Sequence, residues 1–212
     1  MGKIESGAFI SISGKVGNLV GSTWKIINYL KAKPKKSSKP ATQQQVEHRL
    51  RFRIVSKFVS LLTPLLRITN KGRAADRTTN NVSFAEIISN NLTGVYPNFE
   101  INIPSCVITK GILVNGGNPT VQPKPGGLLE FNWNDNSGNL LAKPGDQAIL
   151  IVYCPELPAA DFKTEAGARS AGTATMNASS FTGKLVHTWI SFMDKATGEV
   201  ATSEYTGLHT VL

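Results

Sequence analysis

Two segments of this chain are apolar on both faces when they are read as strands. Ala148-Ile149-Leu150-Ile151-Val152-Tyr153 offers no strongly polar position, and further on Val186, Ile190 and Phe192 stand opposite Leu185, Trp189 and Met193. A strand of a two-layer sandwich normally turns one face to water and alternates accordingly. Doubly apolar strands therefore require a cover on both sides of their sheet. Another element of the chain or a partner subunit must supply it. A helix upstream carries a wide apolar face that also needs a surface, and we expect that helix to be the cover.

Around these strands the apolar period is two. Phe99, Ile101 and Ile103 alternate with polar neighbours, as do Leu129, Phe131 and Trp133 against Glu130 and Asn132. Further strands are expected at 105–114, 146–154, 171–177, 184–193 and 199–211. Turn signals lie between them: Asn115-Gly116-Gly117-Asn118-Pro119, Pro125-Gly126-Gly127, Asn136-Ser137-Gly138-Asn139, Pro144-Gly145 and Thr197-Gly198. About seven short strands without intervening helices fit an immunoglobulin- or fibronectin-like antiparallel β-sandwich over 96–212. The expected class is mainly β with α (α+β), that sandwich being preceded by a glycine-rich β segment and one or two helices.

The helical segment is expected over 42–95, packing on the sandwich. Thr42 with Gln45 three residues on fits a capping box. Val46, Leu50, Ile54, Phe58, Leu61 and Leu65 follow at helical spacing, and Pro64 should kink or end the helix. A second helix is expected from about Thr78 to Leu92, burying Phe84, Ala85 and Ile88 and stopping near Gly94.

Residues 1–41 read differently. Gly7, Gly14, Gly17 and Gly21 punctuate an extended, small-residue segment, and 31–41 form a basic, proline-interrupted linker. Glycine-rich strands are marginal without a hydrophobic surface to lie on, so this segment should dock in cis or on a neighbouring molecule. Charge is divided along the same line. Residues 1–80 carry sixteen Lys/Arg against Glu5, Glu47 and Asp76, whereas residues 81–212 carry seven against eleven Asp/Glu. The net charge of +9 hides that split, which is the pattern of a basic arm joined to a mildly acidic scaffold.

Several stretches resemble a known family. They are Gly14-Lys15-Val16-Gly17-Asn18-Leu19-Val20-Gly21-Ser22-Thr23-Trp24-Lys25, Pro40-Ala41-Thr42-Gln43-Gln44-Gln45 and Gly94-Val95-Tyr96-Pro97-Asn98-Phe99-Glu100-Ile101. Arg169-Ser170-Ala171-Gly172-Thr173-Ala174 and Val186-His187-Thr188-Trp189-Ile190 complete the set. In order along the whole chain, they resemble an uncharacterised family of Bacteroidota proteins, domain of unknown function 6266. The resemblance implies one inherited unit and transfers no activity. Lys25-Ile26 stands where the family pattern leads us to expect Lys-Gly.

Motifs for specific chemistry are few. There is no Gly-x-x-x-x-Gly-Lys-Ser/Thr loop, no Rossmann glycine spacing and no Gly-x-Ser-x-Gly elbow. His48, His187 and His209 with Cys106 and Cys154 lack paired zinc-ligand spacing. The two cysteines read as buried free thiols. His187, Cys154 and Asp135 would support an enzyme only if one pocket gathered them. Asn132 to Gly138 reads as an Asx-rich turn rather than a calcium loop. No cofactor and no metal is expected. No segment is apolar for long enough to span a bilayer and no secretory signal is visible, so a cytoplasmic product, released in a particle if at all, is expected.

The expected function is non-enzymatic: a structural or interaction protein that self-associates through its N-terminal strands, as a subunit of a phage-like or other multi-subunit assembly. Val16, Leu19, Val20 and Trp24 are the candidate assembly residues. The alternative is nucleic-acid binding through Lys31, Lys33, Lys35, Lys36, Lys39, Arg49, Arg53 and Lys57, which could contact roughly five to eight phosphates.

Overall fold

The computed structural model describes residues 2–4, 13–24, 27–35, 39–74, 77–139 and 141–212. The chain divides into two units, Met1–Thr42 and Gln43–Leu212. The first is an antiparallel sheet of β1 (Gly2–Ile4), β2 (Gly14–Val16), β3 (Leu19–Trp24) and β4 (Ile27–Ala32), hydrogen-bonded in the order β1-β4-β3-β2.

The second unit opens with α1 (Gln43–Leu61), α2 (Thr63–Thr69) and α3 (Thr79–Asn90), followed by a hairpin of β5 (Leu92–Val95) and β6 (Asn98–Ile101). Then come β7 (Gly117–Lys124), β8 (Leu128–Asn134), β9 (Gln147–Cys154), β10 (Ala159–Lys163), β11 (Thr173–Asn177), β12 (Leu185–Met193) and β13 (Glu204–Thr210). These seven strands form two antiparallel sheets, β11-β8-β7 and β10-β9-β12-β13, packed as a sandwich.

Alternation along β9 and β12 sorts their side chains into two cores. Ala148, Leu150, Val152 and Cys154 join Val186, Ile190 and Phe192 between the sheets, facing Leu129, Phe131 and Met176. Ile149, Ile151, Trp189 and Met193 point the other way and pack under Val55, Phe58, Val59, Leu62, Leu65, Leu66 and Ile87. The outer cover of the doubly apolar strands is therefore the helical layer. Its ring contacts are specific: Phe58 meets Tyr153 edge-on at 5.0 Å, and the Trp189 indole N–H donates to the Cys106 carbonyl at 3.0 Å. Each large apolar side chain buried in this way contributes about 1.5–3 kcal/mol.

The helices depart from expectation in their face and their ends. Only the second half of α1 is buried, through Val55, Phe58 and Val59, and Val46 is exposed. Leu50, Ile54 and Leu61 are only partly covered. Position over the sheet decides this, because the first turns of α1 have no buried residue. The break at Pro64 is present: α1 ends at Leu61 and α2 starts at Thr63, with proline in its first turn, where the missing N–H costs nothing. The Thr78 hydroxyl caps α3 by accepting from the Asn81 N–H at 3.2 Å. In α3 the fully buried positions are Val82, Ser83 and Ile87, while Phe84, Ala85 and Ile88 are half-buried. The Phe84 ring packs tilted against Phe52 of α1, with centroids 4.7 Å apart. Gly94 does not stop the helix. It lies in β5 at φ +89°, where a Cβ would run into the Asn98 carbonyl.

The strand expected at 105–114 does not form. Hydroxyls take up part of its backbone: the Ile108 and Thr109 N–H groups donate to the Ser203 Oγ at 2.8 and 3.2 Å, and the Gly111 carbonyl accepts the Thr202 hydroxyl at 3.2 Å. Only an isolated bridge, Leu113 to Ala201, remains of a ladder. Conversely β7 and β10 were not expected. β7 contains Pro119 and Pro123, which suit it only because it lies at a sheet edge. The expected strand at 199–211 is shortened to β13, and the two cysteines are free and buried, Cys154 between the sheets and Cys106 under the helices.

Candidate interaction surface

The β2–β3 hairpin turns through Gly17 and Asn18, with Gly17 at φ +58°, the left-handed conformation that two-residue hairpin turns require. Its register sets Val16 opposite Leu19, and Leu19 opposite Ala32 of β4. Cross-strand partners share a face, so these three form one row. The next row on that face runs Gly14, Gly21, Leu30 and Gly2 across all four strands. Glycines there leave the sheet low enough for another backbone to approach closely. Val16 is 60% exposed and Leu19 48%. Among the described residues of Met1–Thr42, Gly21 alone is buried.

Alternation along β3 moves Val20 to the opposite face, half-buried, between Lys15 and Lys31. Trp24 pairs with Ile27 at the end of β3, and its side chain lies outside the described residues. The four candidate assembly residues thus do not form one patch. Val16 and Leu19 are brought together, and Val20 is not with them.

The candidate basic residues fall in both units. Lys31 lies in β4 with its ammonium 5.8 Å from the Tyr29 ring, Lys33 and Lys35 follow the strand exposed, Lys39 is also exposed, and Lys36 lies outside the described residues. The Lys33 backbone N–H donates to the Asn18 carbonyl at 2.7 Å, so the linker is tied to the hairpin turn. Arg49, Arg53 and Lys57 stand exposed at i, i+4 spacing along α1. Arg51 instead lays its guanidinium 4.6 Å from the Phe99 ring.

The residues weighed for catalysis are not gathered. Cys154 is sealed between the sheets, while His187 is half-buried on the helical side of the same sheet. Its Nδ1 lies 2.9 Å from the Tyr205 hydroxyl, among the Tyr153, Trp189 and Tyr205 rings, and burial lowers it below its ordinary value. Asp135 caps its own turn through the Ser137 N–H and hydroxyl, which lower its carboxyl. Burial pushes the Cys106 thiol up to about 12. Among the described residues, no group of three His, Cys, Asp or Glu is placed to hold a metal ion.

Sequence reasoning missed two charged clusters. Arg169 is fully buried and donates to the Asp146 carboxylate at 3.1 and 3.2 Å, to Asn136 Oδ1 at 2.8 Å and to the Val114 carbonyl at 2.7 Å. Its guanidinium also stacks 4.1 Å from the Phe192 ring, and its carbonyl accepts the Trp133 indole N–H at 2.8 Å. The second cluster is Glu86, reached by Arg73 at 2.7 Å and Lys110 at 3.0 Å. Burial alone would raise Glu86, but these two donors outweigh it and hold the carboxyl below its ordinary value.

A model described as a family of unknown function (DUF6266) matches residues 11–207. No curated protein matches the chain. Among solved structures, the fn3 domain of the human collagen alpha-1(XX) chain is similar at 10% identity and a TM-score of 0.34, over 47% of this chain and 85% of that one. Among the described residues, no helix is long and apolar enough to cross a membrane.

Proposed function

We propose that this chain, which belongs to the DUF6266 family of unknown function, is a structural or interaction protein that self-associates through its N-terminal sheet. The observation that carries the reading is that the described residues of that sheet form no buried core. Val16 and Leu19 stand open beside a row of glycines, and no described side chain of Met1–Thr42 is buried. A small sheet with one apolar, uncovered face is marginal in water and gains by laying that face on a second copy. Among the described residues, β1 and β2 are the edges of this sheet, and a sheet edge suits strand addition from a neighbour. A subunit of a phage-like or other repeating particle fits this behaviour. Light scattering of the full chain over a hundredfold concentration range tests it: the mass should rise above the 22.8 kDa monomer, and a constant monomer would reject the reading.

Nucleic-acid binding is the second reading, favoured by the exposed line of Arg49, Arg53 and Lys57 and by the exposed Lys31, Lys33 and Lys35. Filter retention of labelled DNA and RNA should then fall steeply with salt. Retention that is absent, or indifferent to salt, rejects it.

A further inference from the structure

We propose that the cleft bounded by the last turn of α2, residues 71–73 after it, residues 110–112 and the β12–β13 connection binds a phosphate-bearing ligand. The cleft encloses about 1310 Å³. Arg67, Lys71, Arg73, Lys110 and Lys195 line it, and among the described residues Glu199 alone brings a carboxylate to the lining. Arg67 and Lys71 are exposed and carry no ion pair among the described residues. Arg73 and Lys110 are held on the wall by Glu86, which takes both at 2.7 and 3.0 Å. One carboxylate shared by two cations orients them and leaves the trio net positive. Lys195 pairs with Glu165 at 2.8 Å.

Oriented guanidinium and ammonium groups recognise phosphate oxygens, the first as a planar fork and the second as a point charge. A concave site concentrates their field and raises the local anion concentration. The floor is not uniformly charged. Ile68 is 43% exposed and Ile112 63%, and both line the cleft, offering apolar surface to the organic part of a ligand. Gly111 packs so closely on the Val200 backbone that no side chain could occupy that wall. The chemistry is shared by a free oligophosphate, a nucleotide and a nucleic-acid backbone. It involves none of the residues at 31–57 and does not depend on self-association.

Calorimetric titration of the full chain at low salt tests the site, with tripolyphosphate, ATP and a 12-nucleotide single-stranded DNA as probes. We expect saturable tripolyphosphate binding that weakens as salt rises, and about tenfold weaker binding for each of Arg67→Gln and Lys71→Gln. Both side chains are exposed, so the variants should melt as the wild type does, and a Lys31→Gln, Lys33→Gln control should bind unchanged. Tighter binding of ATP assigns a nucleotide, and tighter binding of DNA assigns the polymer backbone. Absence of saturable binding by all three probes overturns the proposal, as does binding indifferent to Arg67→Gln with Lys71→Gln. Tighter binding of an oligoglutamate peptide than of tripolyphosphate overturns it too.

Discussion

Replacing Asp146 by alanine strands a guanidinium in the interior. Arg169 is 0% exposed and Asp146 2%. The substitution removes two of the four hydrogen bonds that the guanidinium donates, together with its buried counter-charge. The Asn136 amide and Val114 carbonyl remain, but neither carries charge, and the Lys143 N–H loses its acceptor at 2.9 Å as well. Removing one member of such a buried pair costs about 3–5 kcal/mol, because the surviving charge stays desolvated and uncompensated. In a unit of this size that is a fall in Tm on the order of 10 °C. Tryptophan fluorescence during thermal or urea unfolding reads it, since the Trp133 indole is hydrogen-bonded to the Arg169 carbonyl. Arg169→Met combined with Asp146→Leu removes both charges and should cost less than the sum of the single variants by at least about 2 kcal/mol. An Asp146→Ala cost below about 1 kcal/mol, or strict additivity in the double variant, would refute the reasoning.

Three further outcomes follow from the same structure. Leu150→Ala and Ile151→Ala are neighbours on β9 that point into different cores, and each should cost about 2–5 kcal/mol in urea unfolding; a near-neutral Ile151→Ala would mean that the helices do not cover the outer face. Burial lowers His187 below its ordinary 6.5, so the unfolded chain takes up its proton first as pH falls. Stability from that group is full above about pH 6.5 and is lost as the pH drops toward the folded value. His187→Gln should therefore flatten the Tm profile between pH 7 and 5, and parallel profiles would contradict the assignment. Gly94→Ala should destabilise the β5–β6 hairpin, since φ is +89° there and the Asn98 carbonyl occupies the space; an unchanged Tm would count against that geometry.

Much of the sandwich was legible because β9 and β12 combine a period of two with apolar residues on both faces, a pattern that admits few packings. Pro64 likewise marked the helix break within two residues. The face of α1 was harder. Ile54 and Val55 are adjacent and both apolar, and only the position of the sheet decides which is buried. The segment 105–114 has strand-like composition, but Ser203 and Thr202 engage its backbone through hydroxyls from distant positions, which no local pattern reveals. Prolines concealed β7, whose place at an edge is a fact of topology. Of the candidate assembly residues, Val16 and Leu19 share a face, whereas alternation along β3 puts Val20 on the other. Arg169 sits in a Gly/Ala-rich turn, where an arginine is ordinarily solvated. Its place in a stretch that resembles a family motif was the one local signal of a further role.

Self-association is tested most directly by the masses of the wild-type chain and of a full-length Val16→Asp, Leu19→Asp variant, measured by light scattering at equal concentration. Both positions are exposed and lie side by side in the β2–β3 register, so the paired charges should leave Gln43–Leu212 folded and unfit the open face for burial. The wild type is expected as a multimer of 22.8 kDa chains and the variant as a monomer. Equal masses for the two, whether monomeric or multimeric, would contradict it.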